Sequence, residues 1–129
     1  MKVILLSIFV FSFSLLGAEP KVVGFDKLQK RGKAGSQLIY IPNQDSPFTG
    51  KAVRFYPNAQ KSQEATFKDG NKDGLETSWW RNGQKLSEKN YKDGKLDGLW
   101  TWWKDDGTEK FRFTYKDDEE VDRWEVGGK

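Results

Sequence analysis

Residues 74–97 read GLETSWWRNGQKLSEKNYKDGKLD. The same pattern flanks them on both sides, as GKAVRFYPNAQKSQEATFKDGNKD from Gly50 and GLWTWWKDDGTEKFRFTYKDDEEV from Gly98. The units open 24 residues apart without insertion. The first two share 9 of 24 positions and the last two 8 of 24, which marks a repeat architecture and argues against a globular enzyme. Each unit reads as a β-hairpin. Leu75–Arg81 is rich in aromatic and hydroxyl residues, Asn82-Gly83 is a two-residue hairpin signal at which both positions tolerate positive φ, and Gln84–Lys92 returns. Asp93-Gly94-Lys95-Leu96-Asp97-Gly98 then turns into the next hairpin. Asn58-Ala59 and Asp106-Gly107 hold the tight-turn place in the other units, and Ala59 makes the first hairpin the loosest, because alanine fits positive φ less well than glycine.

The expected fold is therefore all-β: an antiparallel meander of 24-residue hairpins in a single elongated sheet. The chain divides into a leader (1–18), an N-terminal segment with a capping strand (19–49), and repeats (50–129) split as 50–73, 74–97, 98–121 and a partial unit 122–129. The capping strand is Gln37-Leu38-Ile39-Tyr40-Ile41, ended by Pro42-Asn43.

Outside the repeats, Met1-Lys2, the apolar run Val3–Leu16 and the small residues Gly17-Ala18 have the form of a secretory signal peptide cleaved near Ala18. The run is shorter than the ~20 residues a membrane span needs, so the mature chain is expected to carry none. The destination is the periplasm, the cell envelope or the exterior. The full chain carries 22 Lys and Arg against 19 Asp and Glu, well interspersed, and no basic block points to nucleic acid. With no Cys and no His, the fold has no disulfide, and the commonest zinc ligands and the commonest general base are missing. No catalytic residue, metal or cofactor is expected.

Residues 24 apart occupy equivalent strands on the same face. Position six of the unit is Phe55, Trp79 and Trp103, and position eighteen is Phe67, Tyr91 and Tyr115. These six aromatics are the expected core spine, packed together on one face. Positions three and five lie on the other face and become Trp100 and Trp102 in the third unit, with Trp124 at position three of the partial fourth and Arg112 nearby. Trp100, Trp102, Trp124 and Arg112 are the candidate partner-binding residues. Three readings are open for the tryptophans. They could form a second small core, a protein-binding hot spot of the kind in which Trp and Arg are enriched, or an aromatic platform for an envelope sugar or quaternary ammonium group.

Gly74-Leu75, Trp79-Trp80-Arg81-Asn82-Gly83-Gln84-Lys85 and Tyr91–Trp100, with the Pro47-Phe48-Thr49-Gly50-Lys51 entry, resemble the MORN-repeat variant of bacteria. The resemblance covers residues 47 to about 121. It implies a hairpin meander that serves as a binding surface or scaffold. Bacterial members are often grouped as YwqK-type antitoxins, so the resemblance implies a protein partner, a toxin among the options. The export signal fits an immunity-like protein in the envelope better than a cytosolic antitoxin. The Trp-rich hairpins also look somewhat like choline-binding modules, which makes a glycan- or choline-binding envelope protein the alternative. Asp69/Asp73 and Asp93/Asp97 recur four apart. Clustered carboxylates could hold a hard cation, but aspartate's preference for turns is the stronger explanation.

Overall fold

A computed structural model describes residues 19–127; the leader read over 1–18 lies outside the described residues. The repeats build β4 (Gly50–Phe55), β5 (Lys61–Lys68), β6 (Asn71–Trp79), β7 (Lys85–Lys92), β8 (Lys95–Trp103), β9 (Glu109–Lys116) and β10 (Glu119–Glu125). These strands run antiparallel in sequence order. The N-terminal segment adds β1 (Val22–Gly24), a 3-10 turn (Phe25–Lys27), β2 (Gln29–Arg31) and β3 (Leu38–Tyr40). β1 joins the sheet edge parallel to β4, completing eight strands, while β2 and β3 form a separate antiparallel pair. The parallel strand departs from the all-antiparallel expectation. A parallel neighbour needs a long crossover, and the connection over 25–49 supplies it.

The two kinds of turn exchange the roles that the sequence suggests. In Asn82-Gly83 only the glycine is left-handed, at φ 86. The Asn82 side-chain oxygen instead accepts the Gln84 N–H at 3.0 Å, and Gly83 N–H donates to Trp80 O at 3.0 Å. The result is a three-residue loop followed by a bulge, with the register slipping between Ser78 and Trp79. The junctions between units are the true two-residue turns. Asp69-Gly70 has φ 49 and 81, Asp93-Gly94 has 49 and 83, and Asp117-Asp118 has 49 and 69. Two successive left-handed residues define the mirror-image turn whose twist matches paired strands.

Each junction is bonded to a carbonyl 22 residues before it, the first to Phe48 and the next two beside the preceding junction. Gly70 N–H donates to Phe48 O at 2.9 Å, Gly94 N–H to Lys72 O at 2.8 Å, and Asp118 N–H to Leu96 O at 2.9 Å. The aspartates spaced by four serve the same contact, since Asp73 Oδ2 accepts the Asp93 N–H at 3.1 Å and Thr49 Oγ1 accepts the Asp69 N–H at 2.9 Å. At the opposite end of the hairpins, position seven links neighbours. Tyr56 Oη donates to Trp79 O at 2.6 Å and Trp80 Nε1 to Trp103 O at 3.2 Å.

The register also corrects the expected spine. Residues facing each other across a hairpin have opposite parity, as in Gly74 with Tyr91 and Glu76 with Lys89. Position eighteen therefore shares a face with positions three and five, and position six lies on the other side. We call these the cap face and the outer face. Phe67 is buried in the cap face, but Phe55 is on the outer face and 56% exposed. Trp79 and Trp103, half-buried on the outer face, sit under Lys61 and Lys85, whose ammonium groups lie 5.5 and 5.6 Å from the ring centres. Tyr91 and Tyr115 are half-buried on the cap face. The buried apolar core lies at the N-terminal end, where Ala52, Ala65 and Phe67 of the first unit meet Phe48, Val23, Phe25, Leu28, Ile39 and Ile41 of the N-terminal segment. The alanines leave room for that segment to approach, and Phe25 meets Phe67 edge-on at 6.3 Å.

Three outcomes are expected from denaturant titration. Phe67→Ala should cost about 3–5 kcal/mol and Phe55→Ala under about 1 kcal/mol, reversing the equality that a common spine would require. Ala59, held at φ 65, should gain about 1 kcal/mol on change to Gly. Asp118→Gly should gain nothing, because the Asp118 carboxylate accepts the Leu96 N–H at 2.7 Å.

Candidate functional site

Five strand positions of each unit, besides the junction place held by Lys72, Leu96 and Glu120, point to the cap face, and their occupants change along the sheet. In the first unit they are Ala52, Arg54, Gln63, Ala65 and Phe67, over which the N-terminal segment packs. In the second they are Glu76, Ser78, Ser87, Lys89 and Tyr91. In the third all five are aromatic: Trp100, Trp102, Phe111, Phe113 and Tyr115. Sequence reasoning identifies the two tryptophans but passes over Phe111 and Phe113. The signal was there, because Phe111-Arg112-Phe113-Thr114-Tyr115 alternates strictly with period two.

These rings form one cluster. Trp102 stacks on Phe111 at 5.0 Å with 8° between planes, and Trp100 lies 5.3 Å from Phe113 and 6.0 Å from Tyr115. Phe111 and Phe113 are 5.2 Å apart, and Trp80 meets Trp102 edge-on at 6.1 Å. All five rings are half-buried. Side chains stand roughly upright on a sheet, so rings stacked against one another shield their faces and present their edges outward. Trp100 Nε1 is buried without a hydrogen-bond acceptor among the described residues.

Three cations cover the remaining ring faces. Lys89 lies 4.5 Å over Trp100, Lys110 lies 4.9 Å over Trp102, and the Arg123 guanidinium lies 4.9 Å over Phe113. Arg123 is held by Glu120 at 2.8 Å. Lys89 and Lys110 form no ion pair among the described residues.

The structure divides the four candidate binding residues. Trp100 and Trp102 lie in the cluster. Trp124 and Arg112 face each other on the outer face, with the guanidinium 5.8 Å from the indole centre. A bulge between Glu120 and Asp122 causes this. One extra residue reverses the alternation of β10, so Trp124 faces Arg112 instead of Phe111. Arg112 is engaged by Glu109 at 2.8 Å.

Several charges elsewhere are paired. On the outer face Lys61 and Lys51 both reach Glu64, at 2.5 and 3.1 Å, and Lys85 reaches Glu88 at 2.6 Å. Lys61 holds the Glu64 carboxyl below its ordinary range. Lys116 does the same to Asp97, the Thr108 hydroxyl to Asp106, and Arg123 to Glu120. Burial pushes Tyr91 up. Among the described residues no group of three or more Asp and Glu is arranged to hold a metal ion, and no helix is long and apolar enough to cross a membrane.

The four depressed carboxyls fix the direction of the pH response. A carboxyl whose pKa is lower in the folded state stabilises the fold above its unfolded pKa and loses that contribution as pH falls through its folded value. Stability should be flat from neutrality to about pH 5 and then fall below about pH 4. Urea titration across this range checks it, and Glu64→Gln should lessen the fall.

Residues 72–93, spanning most of β6, the tight turn, β7 and the first residue of the next junction, match the family model described as MORN repeat variant. No curated protein and no solved structure matches the chain significantly. The hairpin that matches this repeat is built twice more, in 50–73 and 98–121, with the same register of its two strands.

Proposed function

We propose that this protein is an exported, non-catalytic interaction module that binds a protein partner through the cap face of its third unit, in the manner of an immunity protein. The observation that carries the reading is the aromatic occupation of all five cap-face positions in that unit alone. A first unit with the same geometry covers its face with its own N-terminal segment. Clustered aromatics beside basic residues are the composition of interface hot spots. The apolar leader supports export, and the MORN-type repeat supports a binding role.

The same geometry gives less support to the alternative. A quaternary ammonium ligand would have to replace Lys89, Lys110 or Arg123 over the rings, and a sugar would need open ring faces where Trp102 and Phe111 cover each other.

The test is affinity capture with the tagged full chain, expressed in its own cell, from envelope and secreted fractions. Trp100→Ala/Trp102→Ala should lower recovery of one protein by roughly tenfold or more with the circular dichroism spectrum unchanged. Trp124→Ala, on the outer face, should leave recovery intact. Recovery of wall polymer in place of protein would favour the glycan reading. Equal recovery by all variants would rule out the cap face as the binding surface.

A further inference from the structure

The two faces of the sheet treat their cations differently. On the outer face the lysines of the hairpin returns, Lys61 and Lys85, are neutralised by Glu64 and Glu88 three residues on, and in the third unit the pair is kept with its signs exchanged, as Glu109 with Arg112. On the cap face Lys72 is taken by Glu76 and Arg123 by Glu120. Lys89 and Lys110 are left over Trp100 and Trp102 without an ion pair among the described residues, although Glu76, already taken by Lys72, faces Lys89 across β6 and β7; Arg54, over the Phe25 ring in the first unit, is likewise unpaired. Glu125, which faces Phe111 across β9 and β10, is a further acid on this part of the face, and it lies on the exposed edge strand.

A ring face attracts an ammonium group but does not neutralise it. The surface is thus apolar at its centre and carries two ammonium groups that no carboxylate pairs among the described residues. These stand on adjacent parts of the platform, Lys89 opposite Trp100 on β7 and β8, and Lys110 beside Phe111 on β9. Neighbouring strands are about 4.8 Å apart, so a few residues of extended chain would reach both.

Resting on the reading of this face as a docking surface, we propose that its partner presents an acidic peptide segment, with aromatic or aliphatic side chains among its carboxylates. The apolar side chains pack on the exposed edges of the rings. The carboxylates complete the ion pairs that Lys89 and Lys110 lack, in a setting where the rings have already removed part of the water around them. A second copy of this chain fits less well, because like faces brought together would set ammonium groups against ammonium groups.

The test uses three synthetic peptides with one shared phenylalanine pattern, filled in with glutamate, serine or lysine. Each is titrated into the full chain while the tryptophan indole N–H resonances are followed. The glutamate peptide should move the signals of Trp100 and Trp102 and leave those of Trp79, Trp103 and Trp124 in place. Binding should weaken about tenfold with Lys89→Gln/Lys110→Gln, and it should weaken with added salt. If the serine or lysine peptide binds as well as the glutamate peptide, or the double glutamine variant binds unchanged, the acidic partner is ruled out while the face remains a docking surface. Movement confined to the outer-face tryptophans would overturn both readings. Response only to an anionic oligosaccharide, signals that shift with protein concentration alone, or silence toward all three peptides would each reject the peptide assignment.

Discussion

The hydrogen bond between consecutive junction turns is the contact on which the rest of this structure depends. It can form only because the second residue of each junction is left-handed, which aims its N–H sideways at the carbonyl of the preceding junction. The donor and acceptor are always 22 residues apart, as in Gly94 and Lys72. That spacing admits no insertion, which is the physical reason the units repeat at constant length. The third junction shows how strict the requirement is. Asp118 replaces glycine there, yet it adopts the same backbone shape and supplies a carboxylate to bond Leu96 N–H. Tyr56 and Trp80 pin the opposite ends of the hairpins, so neighbouring units are tied at both margins of the sheet.

With the register fixed, each position of the unit always points to the same face, and the differences between units reside in the side chains. A sheet face must be wet, covered or self-covering. The first unit takes the second course, with alanines beneath a folded-back segment. The middle unit is polar, with Lys72 and Glu76 paired and Lys72 4.8 Å from the Tyr91 ring centre. The third unit covers itself only in part, by stacking rings on rings and laying cations over them. The outer face stays more uniform, with Lys61 and Lys85, paired to Glu64 and Glu88, lying over Trp79 and Trp103. Its exposed ion pairs are each worth little in stability and serve mainly to keep that side solvated.

The repeat unit, the hairpins and the aromatic enrichment of the third unit were legible in the chain; a strand over 37–41 was legible too, but it pairs with β2, and the edge of the sheet is taken by β1 instead. The glycine and aspartate pattern located every turn, but not which turn was of which kind. Asn82-Gly83 and Asp93-Gly94 are equivalent on propensity, and they part because Asn82 finds a local partner in Gln84 N–H whereas Asp93 gives its own N–H to Asp73. β1 and β2 escaped notice because three-residue strands in a lysine-rich segment have no periodicity to read. Half of the candidate site was legible, in Trp100 and Trp102. Trp124 was misplaced by a single bulge, which spacing along the chain does not reveal, whereas Arg112 lies on the outer face because it alternates with Phe111 and Phe113.

The sequence by itself determined the architecture, because period and turn chemistry are local properties that every copy of the unit repeats. Only the tertiary structure decided which aromatics are core and which are surface. That depends on cross-strand parity, on a one-residue slip in β10, and on where the N-terminal segment folds back. Each is a relation between residues far apart in the chain. Phe67 and Tyr115 hold the same position in their units, yet Phe67 is 4% exposed and Tyr115 is half-buried. Phe25 and Phe48 pack on the former, while in the structure the latter meets the rings of its own unit.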